Sequence, residues 1–217
     1  MTEEPTPTDE WADVAPFLDN IPRPVRLVVW AYEEGRWQER EAIRLGQALS
    51  ERFANVSFDL RPRRENYAFY PVLGVMGVEG EEEIDYGVRI IGLPAGYQMT
   101  TLLGAIQAVT FRGQQVEPKT RIQISRMPAA AEIEIITDNE DEAGPQMATM
   151  CFALAVCSPL IRAFAIMSDS FPVALQRFNV HYLPHTIIND KVHIEGVLDE
   201  AQFLRHLALA LKPPITP

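Results

Sequence analysis

The chain has 217 residues, of which 47% are hydrophobic, and its 30 acidic side chains outnumber its 19 basic ones to give a net charge of −11. This length and hydrophobic content predict one large domain or two small ones with a buried core, and they exclude a disordered chain. Because the excess negative charge repels phosphate backbones and anionic membranes, a nucleic-acid or membrane partner would need a local basic patch. The sequence has none, the closest cluster being Arg61, Arg63 and Arg64. We therefore expect no nucleic-acid partner and no membrane partner.

The N-terminus and the cysteine content bear on location. The segment Met1–Pro5 is acidic, whereas a signal peptide begins with positive charge and an apolar run. No stretch reaches the roughly 18 to 20 apolar residues of a membrane span. Two cysteines in the whole chain do not make a disulfide framework. These features predict a cytoplasmic protein.

Strand and helix patterns alternate through the first half of the chain, after an N-terminal arm over residues 1–21. The predicted elements are a strand at Val25–Trp30, a helix at Trp37–Phe53, a strand at Val56–Leu60, a strand-like segment at Tyr67–Val78, a strand at Gly87–Ile91 and a helix at Met99–Val109. The polar segment 111–120 that follows is typical of a domain boundary.

A similar order of elements returns in the second half. The predicted elements are a strand at Ala131–Ile136, a helix at Pro145–Val156, a strand at Leu160–Ile166, a short helix at Pro172–Phe178, strands at Thr186–Asn189 and Val192–Ile194, and a helix at Glu200–Leu211. This order predicts two domains, at residues 22–112 and 118–217.

A short motif supports an internal repeat. The pattern V-x-I-x-G occurs at Val88–Gly92 and again at Val192–Gly196, and a proline precedes each copy, at Pro71 and Pro184. The first copy has nine more residues between proline and glycine than the second, and they coincide with the acidic run Glu79–Glu83. The difference predicts a longer hairpin in the first half, with the acidic run as a solvated loop.

A β-α-β unit followed by a hairpin and a helix resembles the thioredoxin and glutaredoxin fold. Asp85–Tyr97, reading DYGVRIIGLPAGY, is similar to the segment that closes the first domain of the two-domain glutaredoxin-like protein disulfide oxidoreductases. Phe171–Asn189 is similar to the second-domain stretch of that family that leads into its cis-proline. The resemblance covers residues 22–212. It implies an α/β protein with two tandem thioredoxin-like domains, each with a central mixed sheet flanked by helices.

The family exchanges disulfides through a C-x-x-C pair at the N-terminus of the first helix of a domain, where the helix dipole stabilises a thiolate. Carrying that pattern over gives two windows without cysteine. The first window is Arg36, Trp37, Gln38 and Glu39, and the second is Asp141, Glu142, Ala143 and Gly144. The resemblance therefore implies a framework that has lost both catalytic pairs.

The two cysteines that remain, Cys151 and Cys157, lie six residues apart on one predicted helix. That spacing separates them by about 9 Å along the helix axis and places them on different faces. A disulfide needs Cα atoms about 4.4 to 6.8 Å apart, so we expect none. Their apolar neighbours favour buried cysteines with a raised pKa. A reactive thiol at one of them remains the alternative.

Three window residues allow more than one interpretation. Asp141 is expected to cap its helix, or else to place a carboxylate where the family holds its thiolate. Arg36 places a cation at the positive end of a helix, so its side chain should point to solvent or to a carboxylate such as Glu39. Trp37 is either an exposed partner contact or a residue packed on the fold.

The two prolines carry a further implication of the resemblance. Pro71 and Pro184 are expected to follow cis peptide bonds, with Tyr70 and Leu183 before them. In this fold the backbone beside the cis-proline pairs with an extended peptide, as an added strand. The prolines mark peptide-binding grooves in one interpretation and serve only packing in the other.

Metal and cofactor sites have little support. His181, His185 and His193 could approach one another across a hairpin, whereas His206 lies on the last predicted helix. No metal-binding spacing occurs among them, and no nucleotide-binding or serine-hydrolase motif occurs in the chain. We expect neither metal nor cofactor.

The expected function is that of a redox-inactive thioredoxin-fold protein that acts as a binding or scaffold module for a protein or an extended peptide. Two alternatives remain open. One is a thiol-disulfide oxidoreductase that uses a single cysteine, Cys151 or Cys157. The other is a binding protein for glutathione or another small molecule, since relatives hold glutathione near the cis-proline. The acidic hairpin favours a partner with a basic surface.

Overall fold

The computed structural model describes residues 11–213, which form eight strands and seven helices. Part of the predicted arm, residues 1–10, lies outside the described residues. The elements of the first half are α1 (Ala15–Leu18), β1 (Val25–Trp30), α2 (Trp37–Arg52), β2 (Val56–Arg61), β3 (Val72–Glu79), β4 (Glu82–Ile91) and α3 (Gln98–Thr110).

The second half begins with a helix that starts at Pro118, near the end of the segment 111–120 predicted as a polar boundary. Its elements are α4 (Pro118–Ile124), β5 (Ala131–Thr137), α5 (Gly144–Cys157), β6 (Ile161–Met167), α6 (Val173–Arg177), β7 (His185–Ile188), β8 (Val192–Glu195) and α7 (Glu200–Ala210). Within residues 11–213, no helix is long and apolar enough to cross a membrane.

All eight strands belong to one sheet in the order β2-β1-β3-β4-β6-β5-β7-β8. In each half, the first two strands are parallel and the hairpin that follows is antiparallel. Each half thus has the strand order expected of a thioredoxin-like domain. The halves join where β4 pairs in parallel with β6, over Val88–Ile91 and Ala163–Ile166. The two domains therefore share one continuous sheet.

Apolar side chains cover both faces of this sheet. The larger core lies under α2, α3, α5 and α7 and includes the buried rings of Phe152 and Phe203. The smaller core on the opposite face is aromatic and is built around Trp30 and Phe164. Both cores contain residues of both halves, so the halves pack as one hydrophobic body.

The aromatic face is covered differently in the two halves. Between β6 and β7, the short helix α6 packs on it through Ala174 and Leu175. Between β2 and β3, no helix forms, and residues 62–71 lay Tyr67, Phe69 and Tyr70 on the same face. The strand-like pattern over Tyr67–Val78 is therefore strand only from Val72 onward. The residues before Val72 are aromatic because they pack on the sheet from outside it.

The hairpin of the first half is the longer one, as predicted. Strands β3 and β4 have 8 and 10 residues, whereas β7 and β8 have 4 each. The acidic run Glu79–Glu83 forms the exposed end of this hairpin, and only Glu83 in it is partly buried. Glu83 accepts hydrogen bonds from Arg61 and Arg26, and Glu79 pairs with Arg112. These arginines neutralise the two carboxylates at either end of the acidic run.

Candidate functional site

The first window lies at the start of α2, where a thioredoxin-like domain would carry its dithiol. Arg36 is the extended N-cap residue, and Trp37, Gln38 and Glu39 form the first turn. The side chain of Glu39 is fully buried although that of Trp37 is 58% exposed. The side chain of Glu39, the last residue of the window, thus points into the protein, whereas that of Trp37 points to solvent.

The Glu39 carboxylate accepts four hydrogen bonds. The backbone N–H groups of Tyr32 and Arg36 each donate to it at 3.0 Å. Arg63 donates through Nε at 2.9 Å and through Nη2 at 2.5 Å, a bidentate pair. Burial by itself would raise the pKa of Glu39, but these hydrogen bonds and the charge of Arg63 outweigh it and lower the pKa below 4.5. A buried carboxylate thus occupies the last position of the first window.

Two aromatic rings hold the Arg63 guanidinium in place. Its central carbon lies 4.5 Å from the centre of the Tyr32 ring and 5.0 Å from that of Tyr70. These distances are those of cation–π contacts. Arg36, by contrast, is exposed at the helix start, so of the two directions expected for its side chain the structure shows the one toward solvent.

Gly35 completes the fit around Glu39. A Cβ atom at Gly35 would lie 2.3 Å from the Glu39 carboxylate, a distance at which something must move. Only glycine at position 35 therefore leaves room for the Glu39 carboxylate in its present place.

Exposed rings lie near the buried Glu39 carboxylate and its partly exposed partner Arg63. Tyr32 is 54% exposed and Trp37 is 58% exposed, so both rings present a large part of their surface to solvent. Tyr32 also lines a cavity of about 650 Å³. Its lining is formed by Ala31, Tyr32, Glu33, Glu34, Gly35, Leu60, Arg61 and Pro62. We call Trp37, Tyr32, Tyr70 and this cavity the first groove.

Both predicted prolines follow cis peptide bonds, Tyr70–Pro71 and Leu183–Pro184. The carbonyl groups of Pro71 and Pro184 accept hydrogen bonds from Gly92 and Gly196, each at 2.8 Å. The backbone N–H and C=O of Tyr70 form no hydrogen bond with any described residue, and the same holds for Leu183. These groups are the pairing groups that an added strand would use.

The second helix start lies two residues beyond the start of the second window. Helix α5 begins at Gly144 with Ala143 as N-cap, so the residues equivalent to Arg36–Glu39 by helix position are 143–146. This stretch also has no cysteine, since it reads Ala-Gly-Pro-Gln. The sulfur-free character of the second site therefore does not depend on which window is used.

Asp141 caps this helix. Its Oδ1 accepts the N–H groups of Ala143 and Gly144, each at 3.0 Å, and its Oδ2 accepts the Thr137 hydroxyl at 2.9 Å. The capping interpretation agrees with these contacts. A carboxylate engaged with three donors has few lone pairs left for another partner.

Residues of the first half cover the second helix start. Gln98 is fully buried, and its Nε2 donates to the carbonyl oxygens of Asp138 at 2.7 Å and Asp141 at 3.0 Å. The Tyr97 hydroxyl donates to the Glu142 carboxylate at 2.6 Å. The sequence did not indicate this cover, because the partners are about 40 residues apart and belong to different halves.

The surroundings of the two cysteines favour the protonated thiol. Cys151 is fully buried, and burial strongly raises the pKa of its thiol. Burial also raises the pKa of Cys157, whose thiol contacts the Gly113 carbonyl oxygen at 3.5 Å. Both cysteines are free rather than disulfide-bonded. A thiolate at neutral pH is therefore disfavoured at both positions.

Two of the histidines meet, as the sequence allowed. His185 Nε2 lies 2.9 Å from His193 Nδ1, and burial followed by the charge of His193 lowers the pKa of His185. His181 is exposed, and His206 contacts the Gln202 carbonyl on α7. Within the described part of the chain, no three His, Cys, Asp or Glu side chains are grouped to hold a metal ion.

Comparisons with known proteins support the fold. No protein-family model and no curated protein sequence matches the chain. Among solved structures, the N-terminal domain of the alkylhydroperoxide reductase AhpF from Enterococcus faecalis aligns with a TM-score of 0.80 at 16% identity, covering 90% of this chain and 96% of that one. A protein disulfide oxidoreductase from Aeropyrum pernix aligns with a TM-score of 0.78 at 18% identity, covering 89% and 88%. At this identity the likeness shows the fold alone: the chain has the architecture of two tandem thioredoxin-like domains.

Proposed function

We propose that this protein is a redox-inactive thioredoxin-fold module that binds an extended peptide segment in the first groove. The observation that carries the proposal is the buried carboxylate of Glu39, held by Arg63 at the position where a resolving cysteine would stand. Disulfide exchange by a C-x-x-C pair uses one cysteine thiolate to attack and the second cysteine to resolve the mixed disulfide. A carboxylate can do neither. The Glu39–Arg63 pair instead keeps the loop geometry of the site without its chemistry.

The first groove offers what strand addition needs. The backbone N–H and C=O of Tyr70 are free to pair with a peptide backbone. Trp37 and Tyr32 present exposed rings, which are favourable contacts for apolar or aromatic side chains. Glu33 and Glu34 line the neighbouring cavity and are exposed, so a basic side chain is favoured there. The expected ligand is an extended peptide with apolar and basic residues.

A labelled decapeptide in which apolar residues alternate with lysine is a direct probe. We expect saturable binding by fluorescence anisotropy, and at least fivefold weaker binding to the Trp37→Ala variant. The matched control is Tyr182→Ala, because Tyr182 is 68% exposed and lies beside Leu183 in the second half. The same peptide with glutamate in place of lysine should bind more weakly. Equal loss in both variants, or no binding by the native protein, would contradict the proposal.

The redox part of the proposal has its own assay. Insulin reduction by dithiothreitol should proceed at the same rate with and without the protein. Acceleration that disappears in a Cys151→Ser/Cys157→Ser double variant would establish the single-cysteine alternative instead. Thiol titration at neutral pH should show no fast-reacting thiol before unfolding, since burial raises the pKa of both cysteines.

A further inference from the structure

A groove outside both helix starts has the properties of a ligand site. It lies between α4 and α7 and has a volume of about 710 Å³. Pockets for small molecules are concave, mostly apolar and about 300 to 1,000 Å³ in volume. The residues that line it are Glu117, Lys119, Thr120, Gln123, Ile124, Arg126, Met127, Pro128, Ala201, Leu204, Arg205, Leu207, Ala208, Leu211, Lys212 and Pro213. We call this the α4–α7 groove.

Helix α7 carries apolar residues on two faces. Phe203, Leu207 and Ala210 are buried in the main core. Leu204 and Leu211 line the α4–α7 groove and are only partly buried, and with Ala208 they follow helical spacing along it. One apolar stripe is thus left without a full cover in the described structure.

The rim of the groove is basic, in a protein of net charge −11. Lys119, Arg126, Arg205 and Lys212 line it, and none of them has a hydrogen-bonding or ion-pair partner among the described side chains. Many other cations of the chain are paired, as Arg61 is with Glu83. A rim of unpaired cations around an apolar floor is complementary to an anion with an apolar body.

The charges also indicate which way such a ligand would lie. The Glu117 N–H donates to the Glu200 carboxylate at 3.3 Å, so α4 and α7 begin at the same end of the groove. That end carries two carboxylates. Arg126 and Lys212 follow the C-terminal ends of the two helices and therefore lie toward the opposite end. An anionic head group is favoured beside them and disfavoured beside Glu117 and Glu200.

We propose that the α4–α7 groove binds a long-chain carboxylate, such as a fatty acid, with its alkyl chain along Leu204, Leu211 and Met127 and its carboxylate toward Arg126 and Lys212. The groove is concave and between two helices, which suits one alkyl chain better than a flat lipid surface. This site is separate from the first groove.

The dansylated carboxylate 11-(dansylamino)undecanoic acid tests this proposal on the full chain, at concentrations below its micelle range. We expect saturable binding with one site per protein. Palmitate should displace the probe, and hexadecanol, which has the same chain length without the charge, should displace it at least tenfold less effectively. Displacement by the alcohol at equal concentration, or no saturable binding of the probe, would overturn the proposal.

Two variants locate the site. Arg126→Glu/Lys212→Glu should weaken probe binding at least tenfold, whereas the control Arg177→Glu/Lys191→Glu makes the same change in net charge at exposed residues elsewhere and should leave it within twofold. Ala208→Trp, at an exposed groove position, should abolish binding with an unchanged circular dichroism spectrum. Equal loss in both charge variants would overturn the proposal. Trp37→Ala should not change probe binding, so failure here and failure of the peptide site are distinguishable.

Discussion

The two helix starts of this protein use carboxylates in different ways. At the start of α2, Glu39 lies within the first turn, is buried, and is bound by Arg63 from the loop after β2. At the start of α5, Asp141 precedes the helix and takes the N–H groups of Ala143 and Gly144. Both carboxylates lie near the positive end of a helix dipole, where a negative charge is favourable.

The two starts also differ in access. The first is surrounded by exposed rings and a cavity, whereas Tyr97 and Gln98 of the first half lie across the second. Gly144 closes the second start further, because a Cβ there would lie 2.1 Å from the Thr137 hydroxyl oxygen. The first helix start is therefore open and the second is covered, so we expect binding at the first.

The largest expected effect is that of Glu39→Ala. It leaves the Arg63 guanidinium and two backbone N–H groups without their acceptor, and should lower the free energy of unfolding by about 3 kcal/mol. The control Glu41→Ala, on the same helix with an exposed partner in Arg44, should cost less than about 0.5 kcal/mol. Urea unfolding measures both. An equally small decrease in the free energy of unfolding for both variants would show that the Glu39–Arg63 pair does not stabilise the fold.

The pH dependence of this effect has a defined sign. The pKa of Glu39 is lowered below 4.5 in the folded protein, so its contribution is present above pH 4.5 and is lost as pH falls through the folded pKa. The difference in free energy of unfolding between the native protein and the Glu39→Gln variant should therefore become smaller as pH falls below 4.5, which urea unfolding at several pH values measures.

The second half contains a carboxyl group with the opposite behaviour. Burial, followed by the charges of Glu132 and Asp190, raises the pKa of Glu134 to about 7. The folded state then holds a proton that the unfolded state loses near pH 4.5, so stability falls as pH rises from 4.5 to 7.

Glu134→Gln should accordingly stabilise the protein by about 2 kcal/mol at pH 8, and the gain should disappear below pH 4.5. Urea unfolding at both pH values checks it, with the exposed Glu140→Gln as control. A gain that is the same at both pH values would show that ionisation of Glu134 is not its cause.

A smaller effect is expected from Asp141→Ala, which removes a helix cap and should cost about 1 kcal/mol. The loss should be accompanied by faster amide exchange at the first turn of α5. Glu142→Ala, which removes only the exposed contact to Tyr97, should cost less than about 0.5 kcal/mol. If Asp141→Ala lowers the free energy of unfolding as much as Glu39→Ala does, the two carboxylates contribute equally to stability, which would contradict the difference described between the two helix starts.

The smallest effect is that of Trp37→Ala, which should change the free energy of unfolding by less than about 0.5 kcal/mol because the side chain is 58% exposed. Thermal and urea unfolding measure it. A loss above about 1 kcal/mol would mean that the ring packs on the fold after all.

Much of the architecture was predictable from local patterns. The helix predicted at Trp37–Phe53 is α2, and the strand predicted at Ala131–Ile136 is part of β5, because periodicity reports a buried face directly. The prediction failed where tertiary contacts set the outcome. Strand β4 begins at Glu82, before the predicted Gly87, because pairing with β3 carries a polar segment into the sheet. The helix α4 was missed, and it begins at the end of the polar segment that was predicted as a boundary.

The positions of the two helix starts were predictable from the sequence, but the contacts that their side chains make were not. The windows at 36–39 and 141–144 lie at the two helix starts, but Arg63 was noted only as a member of a charge cluster. Its partner Glu39 is 24 residues away, and no sequence pattern encodes such a pairing. The sequence likewise shows no basic patch, whereas the fold brings Lys119 and Arg126 beside Arg205 and Lys212.

The sequence by itself determined that dithiol chemistry is absent from both helix starts, because folding cannot supply a sulfur atom that the chain does not carry. It also determined the repeated order of elements, since that order follows from local periodicity. Only the tertiary structure decided which helix start stays open, what holds Glu39, and where unpaired cations gather. Those properties depend on contacts between side chains that are distant in sequence, and such contacts form only once the chain has folded.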